Sequence, residues 1–145
     1  MFAKEMDWLL ILPATSTGFL SVAVLNLNNM RDEESDRKSN KNTIVVKMGA
    51  SNAKVYHYCL IISAMILILL FSYFKDFTFD QYLYVIAFFP LLKHLKTVYT
   101  NKNPKELDPE LKKVALGTFG LSVLLSLSMI YFFQDLFVNL FLGGR

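Results

Sequence analysis

Length, composition and charge place this chain among membrane proteins. It has 145 residues, of which 54% are hydrophobic and 14% aromatic, and its mean hydropathy is +0.38. This is more apolar than a soluble domain of the same length usually is. The single cysteine, Cys59, excludes a disulfide framework and a thiolate metal site. The net charge of +3 says little by itself, and no nucleic-acid partner is expected.

Uncharged runs predict the membrane helices in chain order. Three runs hold about 20 residues each, the length that a helix needs to cross the hydrocarbon core: Trp8 to Met30, Val55 to Phe74 and Val114 to Gln134. A fourth run, between Phe77 and Tyr99, spans only if Asp80 sits at an interface and Lys93 snorkels or faces protein. The sequence therefore predicts an all-α transmembrane bundle of about four helices. It forms a single membrane domain, residues 1–145, with helices at about 8–34, 52–74, 78–99 and 109–140.

Lysine and arginine are unevenly distributed between the loops. Six lie in residues 31–54 and six in residues 93–113, against one in residues 75–80. The positive-inside rule predicts that the first and third loops are cytoplasmic. Both termini and the short second loop then face the other side of the membrane.

A row of polar residues follows the apolar part of the first helix. Asn28, Asp32 and Asp36 are spaced four apart, which puts them on one helix face with a drift of about 40° per step. Carboxylates in such a row can hold a magnesium ion that bridges to a diphosphate. The basic residues around them can neutralise phosphate oxygens. These are Arg31, Arg37, Lys38, Lys41 and Lys47.

The same charges also fit a simpler interpretation. By spacing alone, a solvated loop whose charges set the orientation in the membrane is favoured over a metal site. Asn26, Asn28 and Asn29 shift this balance, because amides at the end of a membrane helix cost free energy unless they have partners or face a polar cavity. Together they indicate a cavity.

The run Asn28-Asn29-x-Arg31-Asp32-x-x-x-Asp36, followed by Lys41-x-Thr43-Ile-Val-Val-Lys47-Met-Gly49, resembles the second aspartate-rich segment of the UbiA-type prenyltransferases. It is most similar to the 1,4-dihydroxy-2-naphthoate polyprenyltransferases, as is the later stretch Leu107-Asp-Pro-Glu-Leu-Lys. Asn40 and Asn42 depart from the pattern, since relatives more often carry glycine and arginine there.

The resemblance implies a fold and a reaction. Members of this family are bundles of nine membrane helices, in which two aspartate-rich segments bind magnesium and a prenyl diphosphate. This chain would correspond to the last four helices, and activity would need the N-terminal half of the same enzyme. The implied reaction transfers a polyprenyl group from an allylic diphosphate to 1,4-dihydroxy-2-naphthoate, which loses its carboxyl group and gives demethylmenaquinone for menaquinone biosynthesis. The implied location is the cytoplasmic membrane of a bacterium, with the aspartate-rich loop on the cytoplasmic side.

The resemblance also implies roles for particular residues. Asp32 and Asp36 would be the magnesium ligands and the catalytic residues, and the diphosphate would be bound by Asn28, Arg31, Lys41 and Lys47. Two alternatives remain at this point: a sister prenyltransferase with another aromatic acceptor, or a non-enzymatic membrane subunit. His57 and His94 lie on different helices, so roles at an interface or in a cavity lining are favoured over a shared metal site. Prenyl chain length and oligomeric state do not follow from the sequence.

Overall fold

The computed structural model describes residues 7–141, with side chains as far as residue 130. The ends of the predicted domain, residues 1–6 and 142–145, lie outside the described residues. The α-helices are α1 (Ile11–Lys38), α2 (Ile44–Phe74), α3 (Phe88–Thr100) and α4 (Asp108–Phe141), and 3-10 helices occupy Trp8–Leu10, Phe79–Ala87 and Pro104–Leu107. The described part of the chain contains no strand, which confirms the predicted all-α class.

Three helical stretches are long and apolar enough to cross a membrane, as the uncharged runs predicted. They are Trp8–Lys38, Ile44–Phe74 and Pro104–Ile130. α1 packs along α2, and α4 packs against α1, α3 and the 3-10 helix Phe79–Ala87. The helices therefore form one bundle.

Asp7 fixes the start of the first span. Its carboxylate accepts a hydrogen bond from the backbone N–H of Leu9 at 3.1 Å and forms an ion pair with Lys75, just beyond the end of α2. The hydrogen bond from the Lys75 ammonium group lowers the pKa of the Asp7 carboxyl below its usual value. The start of the described chain and the end of α2 therefore lie together at one end of the bundle.

α2 begins earlier than the predicted residue 52 because Thr43 caps it. The Thr43 hydroxyl accepts a hydrogen bond from the backbone N–H of Val46 at 3.2 Å, which satisfies a donor in the first turn. The helix is kinked at Gly49, five residues after its first residue Ile44, and the φ of 80° and ψ of 160° at Gly49 suit a residue without a Cβ atom. The segment before the kink is thus a short helical extension of the membrane helix.

The predicted helix at 78–99 is divided into two parts. Phe79–Ala87 forms a 3-10 helix of 9 residues, and α3 follows directly with 13 residues. A 3-10 helix rises about 2.0 Å per residue, against about 1.5 Å for an α-helix. The 3-10 segment therefore extends the reach of a stretch whose uncharged part is short.

Two apolar clusters form the interior of the bundle. The larger one draws on all four α-helices and on the 3-10 helix Phe79–Ala87, and its most deeply buried members include Leu20, Ile61, Phe71, Tyr84 and Leu91. The smaller one lies at the end of the bundle where α1 and α3 finish and where α2 and α4 begin. It contains Leu27, Met30, Val45, Ala53, Val98, Leu107 and Val114. The aspartate-rich segment lies at this same end.

Candidate functional site

The aspartate-rich segment occupies the last turns of α1. Asn28, Asp32 and Asp36 all lie within this continuous helix, so their spacing places them on one face. Asn28 and Asp32 are partly buried, whereas Asp36 is only 7% exposed. The row therefore begins at the apolar part of α1 and ends in a buried carboxylate.

Arg31 is held by the residues of this row. Its Nε donates to Asp32 Oδ1 at 2.8 Å, and its Nη2 donates to both Asp32 Oδ2 and Asn28 Oδ1 at 2.9 Å. A bidentate pair between a guanidinium and a carboxylate is strong and fixes the orientation of both groups. Arg31 therefore orients Asp32, and both carboxylate oxygens of Asp32 already accept hydrogen bonds.

Arg31 also joins α1 to α4. Its Nη1 donates to Asp108 Oδ1 at 2.7 Å, and Asp108 is the first residue of α4. The guanidinium thus lies between one carboxylate from each helix. A surface cleft of about 740 Å³ opens at this junction, and its charged lining residues are Arg31, Asp32, Glu34, Lys38, Lys105 and Asp108.

Asp36 carries a buried carboxylate oxygen that lacks a donor. Its Oδ1 pairs with Lys41 Nζ at 3.1 Å, while Oδ2 accepts no hydrogen bond in the described structure. The Lys41 backbone N–H also donates to the Asp36 carbonyl at 2.9 Å and holds the loop against the end of α1. Burying an anionic oxygen without a partner is costly, so this atom suits a cation.

The residues of this segment fit a magnesium ion. Magnesium is usually bound through one or two carboxylates together with water and substrate phosphate, and Asp32 and Asp36 supply hard oxygens of this kind. Among the described residues, no group of three or more His, Cys, Asp or Glu side chains is placed to hold a metal ion. The remaining ligands would therefore come from elsewhere.

The structure brings five of the six predicted site residues into hydrogen-bonded or ion-paired contact, and Lys47 is the sixth. Asn28, Arg31 and Asp32 form one hydrogen-bonded group, and Asp36 pairs with Lys41. Lys47 is exposed near the start of α2, before the kink, and its side chain forms no ion pair within the part of the chain that is described.

A second polar cluster lies inside the bundle. His57 Nε2 on α2 is 2.9 Å from His94 Nε2 on α3, and His94 Nδ1 is 2.6 Å from Glu110 Oε2 on α4. The other oxygen of Glu110 accepts a hydrogen bond from Lys113 Nζ at 2.5 Å. His57, His94 and Glu110 are each no more than 3% exposed. Ionisable groups are expensive inside a membrane protein and need such partners.

The sequence did not reveal this cluster. His57 and His94 line neither an interface nor a cavity, because both are buried between helices. The two Nε2 atoms are 2.9 Å apart, which is a hydrogen-bond distance. The signal available in the sequence was that His57, His94 and Glu110 are ionisable residues next to apolar runs. An ionisable residue inside a membrane protein requires a partner.

Comparisons with known proteins give one consistent result. The model of the UbiA prenyltransferase family matches residues 1–109. The chain is 38% identical over 126 residues to a 1,4-dihydroxy-2-naphthoate octaprenyltransferase of Haemophilus influenzae, covering 87% of this chain and 41% of that protein. A protein of the same name from Escherichia coli is 38% identical over 120 residues, covering 83% of this chain and 39% of the relative. The chain thus spans about two fifths of the length of these relatives. No solved structure matches it.

Proposed function

This chain belongs to the UbiA prenyltransferase family, and from that premise we propose that it forms the distal part of a membrane enzyme that prenylates 1,4-dihydroxy-2-naphthoate. The enzyme transfers a polyprenyl group from an allylic diphosphate to the ring and yields the hydroquinone demethylmenaquinol, which a separate two-electron oxidation converts to demethylmenaquinone. The names of the two relatives at 38% identity support this acceptor. The chain covers 41% and 39% of those relatives, so we expect activity to require the rest of the enzyme, which the resemblance to the family identifies as its N-terminal half.

The observation that carries the proposal is the row of oxygens at the end of α1. Asp32 and Asp36 lie on one face, and Asp36 Oδ2 is buried without a donor. Arg31 and Lys41 lie directly beside the two carboxylates. Acidic groups that can bind a cation and basic groups that can bind phosphate therefore meet at one end of the bundle, as a diphosphate substrate requires.

The two aspartates and the polar residues beside them have separate roles in binding and orienting the diphosphate. Asp32 and Asp36 would hold magnesium, which when bound neutralises charge that the diphosphate gains as it leaves. Arg31 fixes the direction of the Asp32 carboxylate, and Asn28 accepts one of its hydrogen bonds. The Lys41 side chain is 62% exposed, so its ammonium group can turn from Asp36 towards a phosphate oxygen. The C–O bond of the allylic diphosphate breaks, a C–C bond to the ring forms, and the ring loses its carboxyl group as CO₂.

We place the enzyme in the cytoplasmic membrane of a bacterium, with the aspartate-rich end of α1 and the loop that follows it on the cytoplasmic side. The loop between α1 and α2 and the loop between α3 and α4 lie at the same end of the bundle, where Arg31 meets Asp108. Residues 31–54 and 93–113, which comprise these loops and the helix ends beside them, carry six lysines and arginines each. The positive-inside rule supports a cytoplasmic position for both.

The test is prenyl transfer by a complete enzyme. This chain replaces the region that it matches in the Haemophilus influenzae relative, and this fusion is expressed in a bacterial host without its own enzyme. Membranes receive magnesium, octaprenyl diphosphate and 1,4-dihydroxy-2-naphthoate, and the product demethylmenaquinol is measured by mass spectrometry as demethylmenaquinone after oxidation in air. We expect Asp32→Asn and Asp36→Asn to reduce product at least 100-fold. The matched control is Glu106→Gln, because Glu106 is an exposed acid that does not line the cleft and bonds only to Asn101 and Asn103 among the described residues.

Each outcome decides part of the proposal. Equal product from the wild type and both aspartate variants would reject the site. Product from 4-hydroxybenzoate, and none from the naphthoate, would replace the acceptor by that of a sister enzyme. If the fusion gives no product, the chain alone in nanodiscs is titrated with Mn²⁺ and inorganic diphosphate and followed by EPR. Asp36→Asn should then weaken Mn²⁺ binding at least tenfold, and equal binding would overturn the proposal.

A further inference from the structure

Polar contacts join the four α-helices in a closed ring at the end that carries the aspartate-rich segment. Each neighbouring pair of helices shares at least one direct polar contact, and one contact for each pair closes the ring. These contacts are Arg31 Nη1 to Asp108 Oδ1 at 2.7 Å for α1 and α4, Glu110 Oε2 to His94 Nδ1 at 2.6 Å for α4 and α3, His94 Nε2 to His57 Nε2 at 2.9 Å for α3 and α2, and Asn26 Nδ2 to the Ala53 carbonyl at 3.0 Å for α2 and α1.

Such contacts decide how membrane helices are placed against one another. Lipid tails are as apolar as the side chains of the helices, so burying apolar surface between helices gives little net driving force. Hydrogen bonds between buried polar groups are directional, and breaking one leaves its partner unpaired in an apolar environment. Asn26, His57, His94 and Glu110 are all buried. The three contacts made by these buried groups therefore constrain how the helices are placed, and the more exposed pair of Arg31 and Asp108 completes the ring.

The first turn of α4 is held from two sides. Asp108 is 70% exposed at its side chain and faces Arg31, whereas Glu110 is 3% exposed and faces His94. Two residues along a helix correspond to a rotation of about 200°, so these carboxylates point in nearly opposite directions. Because both residues lie in this one turn, a movement of the turn that displaces Glu110 also displaces Asp108.

The hydrogen bonds of the cluster have a defined direction. For neutral rings, one arrangement satisfies both contacts of His94: its Nδ1–H donates to the Glu110 carboxylate, and its Nε2 accepts from His57 Nε2–H. Glu110 receives a second hydrogen bond from Lys113, so both of its oxygens are used. The series of hydrogen bonds from His57 through His94 therefore ends at the Glu110 carboxylate, which is the final acceptor.

We propose that Glu110 and His94 are positioning residues for the aspartate-rich segment. They hold the first turn of α4 so that Asp108 meets Arg31, and Arg31 in turn orients the Asp32 carboxylate. The effect reaches Asp32 through three direct contacts and needs no contact between Glu110 and any substrate. The catalytic meaning of this positioning rests on the proposed function, but the positioning itself does not.

The first experiment measures the distance between α1 and α4. Spin labels are placed at Lys38→Cys and Lys112→Cys in a Cys59→Ser background, and the chain is reconstituted in nanodiscs for pulsed EPR. Lys112 is exposed on α4, and Lys38 ends α1. We expect Glu110→Ala to broaden the distance distribution and to move its mean by roughly 2 Å, the size of an ordinary helix shift.

Two further variants separate positioning from general damage. Glu110→Gln keeps an oxygen that can accept from His94 Nδ1–H, so it should restore the wild-type distance. Glu106→Ala is the matched control, because Glu106 is an exposed acid nearby that bonds only to Asn101 and Asn103 in the described structure. An unchanged distribution in Glu110→Ala would overturn the proposal, as would an equal change in Glu106→Ala.

The second experiment tests the route through Asp108. Mn²⁺ affinity is measured by EPR for Asp108→Asn, Glu110→Ala and the double variant. If Glu110 acts through Asp108, each single variant should weaken binding about tenfold, and the double variant should be no weaker than the singles. Effects that multiply would reject this route. A wild-type chain that binds no Mn²⁺ would reject the proposed metal role of Asp32, while the distance measurements would still decide the positioning.

Discussion

Gly49 allows a specific test of the kink in α2. Its φ of 80° and ψ of 160° fall in a region that is essentially restricted to glycine, and a residue with a Cβ atom held there costs about 1–3 kcal/mol. A Cβ atom built on Gly49 meets no other atom within 4 Å. Steric overlap with neighbours therefore adds nothing, and the whole cost of Gly49→Ala is backbone strain.

The matched control is Gly120→Ala. Gly120 lies within α4, and its added Cβ also meets nothing within 4 Å. Alanine in a helix interior is favoured over glycine by about 0.5–1 kcal/mol, so this variant should be neutral or more stable. Gly49→Ala should instead lower the free energy of unfolding by about 1–3 kcal/mol, a change of roughly 5- to 150-fold in the unfolding equilibrium.

Unfolding is followed by circular dichroism while the fraction of sodium dodecyl sulfate in mixed micelles is increased. Equal stability of Gly49→Ala and Gly120→Ala would refute the argument from strain. A straightened α2 would show how the strain is relieved, and it would appear as a changed distance between spin labels at Lys47→Cys and Val55→Cys in the Cys59→Ser background. Such a change would move Lys47 relative to the rest of the helix.

Three other substitutions should alter stability by different routes in the same unfolding assay. Gly117→Ala should be about 1–2 kcal/mol less stable than Gly120→Ala, because its Cβ would lie 3.0 Å from Leu91 Cδ2 and force the packing of α3 and α4 to adjust. Lys54→Met should cost about 1–2 kcal/mol, because the ammonium group donates at 2.5 Å to a backbone carbonyl just beyond the end of α3. Asp7→Asn should lower stability at neutral pH and have little effect in strong acid. Lys75 lowers the pKa of Asp7, so the stabilisation is complete above the unfolded-state pKa near 3.8 and disappears as the pH falls through the lower folded-state pKa.

Particular results would contradict each of these expectations. Equal stability of Gly117→Ala and Gly120→Ala would show that Leu91 moves away without cost. Lys93→Met is the control for Lys54, since Lys93 is an exposed lysine, and an equal loss in both variants would reject the role of the carbonyl contact. For Asp7→Asn, a stability difference from the wild type that persists unchanged from pH 7 to pH 2 would rule out the ion pair as its source.

Several features of the protein follow from neighbouring residues in the sequence alone. The length of an uncharged run determines whether a helix can cross the hydrocarbon core, so three spans could be predicted. The four-residue spacing of Asn28, Asp32 and Asp36 places them on one face of any continuous helix. The resemblance of the same run to an aspartate-rich segment led to the family that the comparisons show. These inferences depend on local geometry, which a helix fixes by itself.

Tertiary structure decided which of these residues meet. Arg31 and Asp108 are 77 residues apart, and His57 and His94 are 37 apart, so no local pattern connects either pair. Their contacts depend on how each helix is rotated and on where it begins. The helices are apolar over much of their circumference, so hydrophobic periodicity does not specify that rotation. Directional hydrogen bonds between buried groups specify it instead, and those bonds exist only once the four helices have come together.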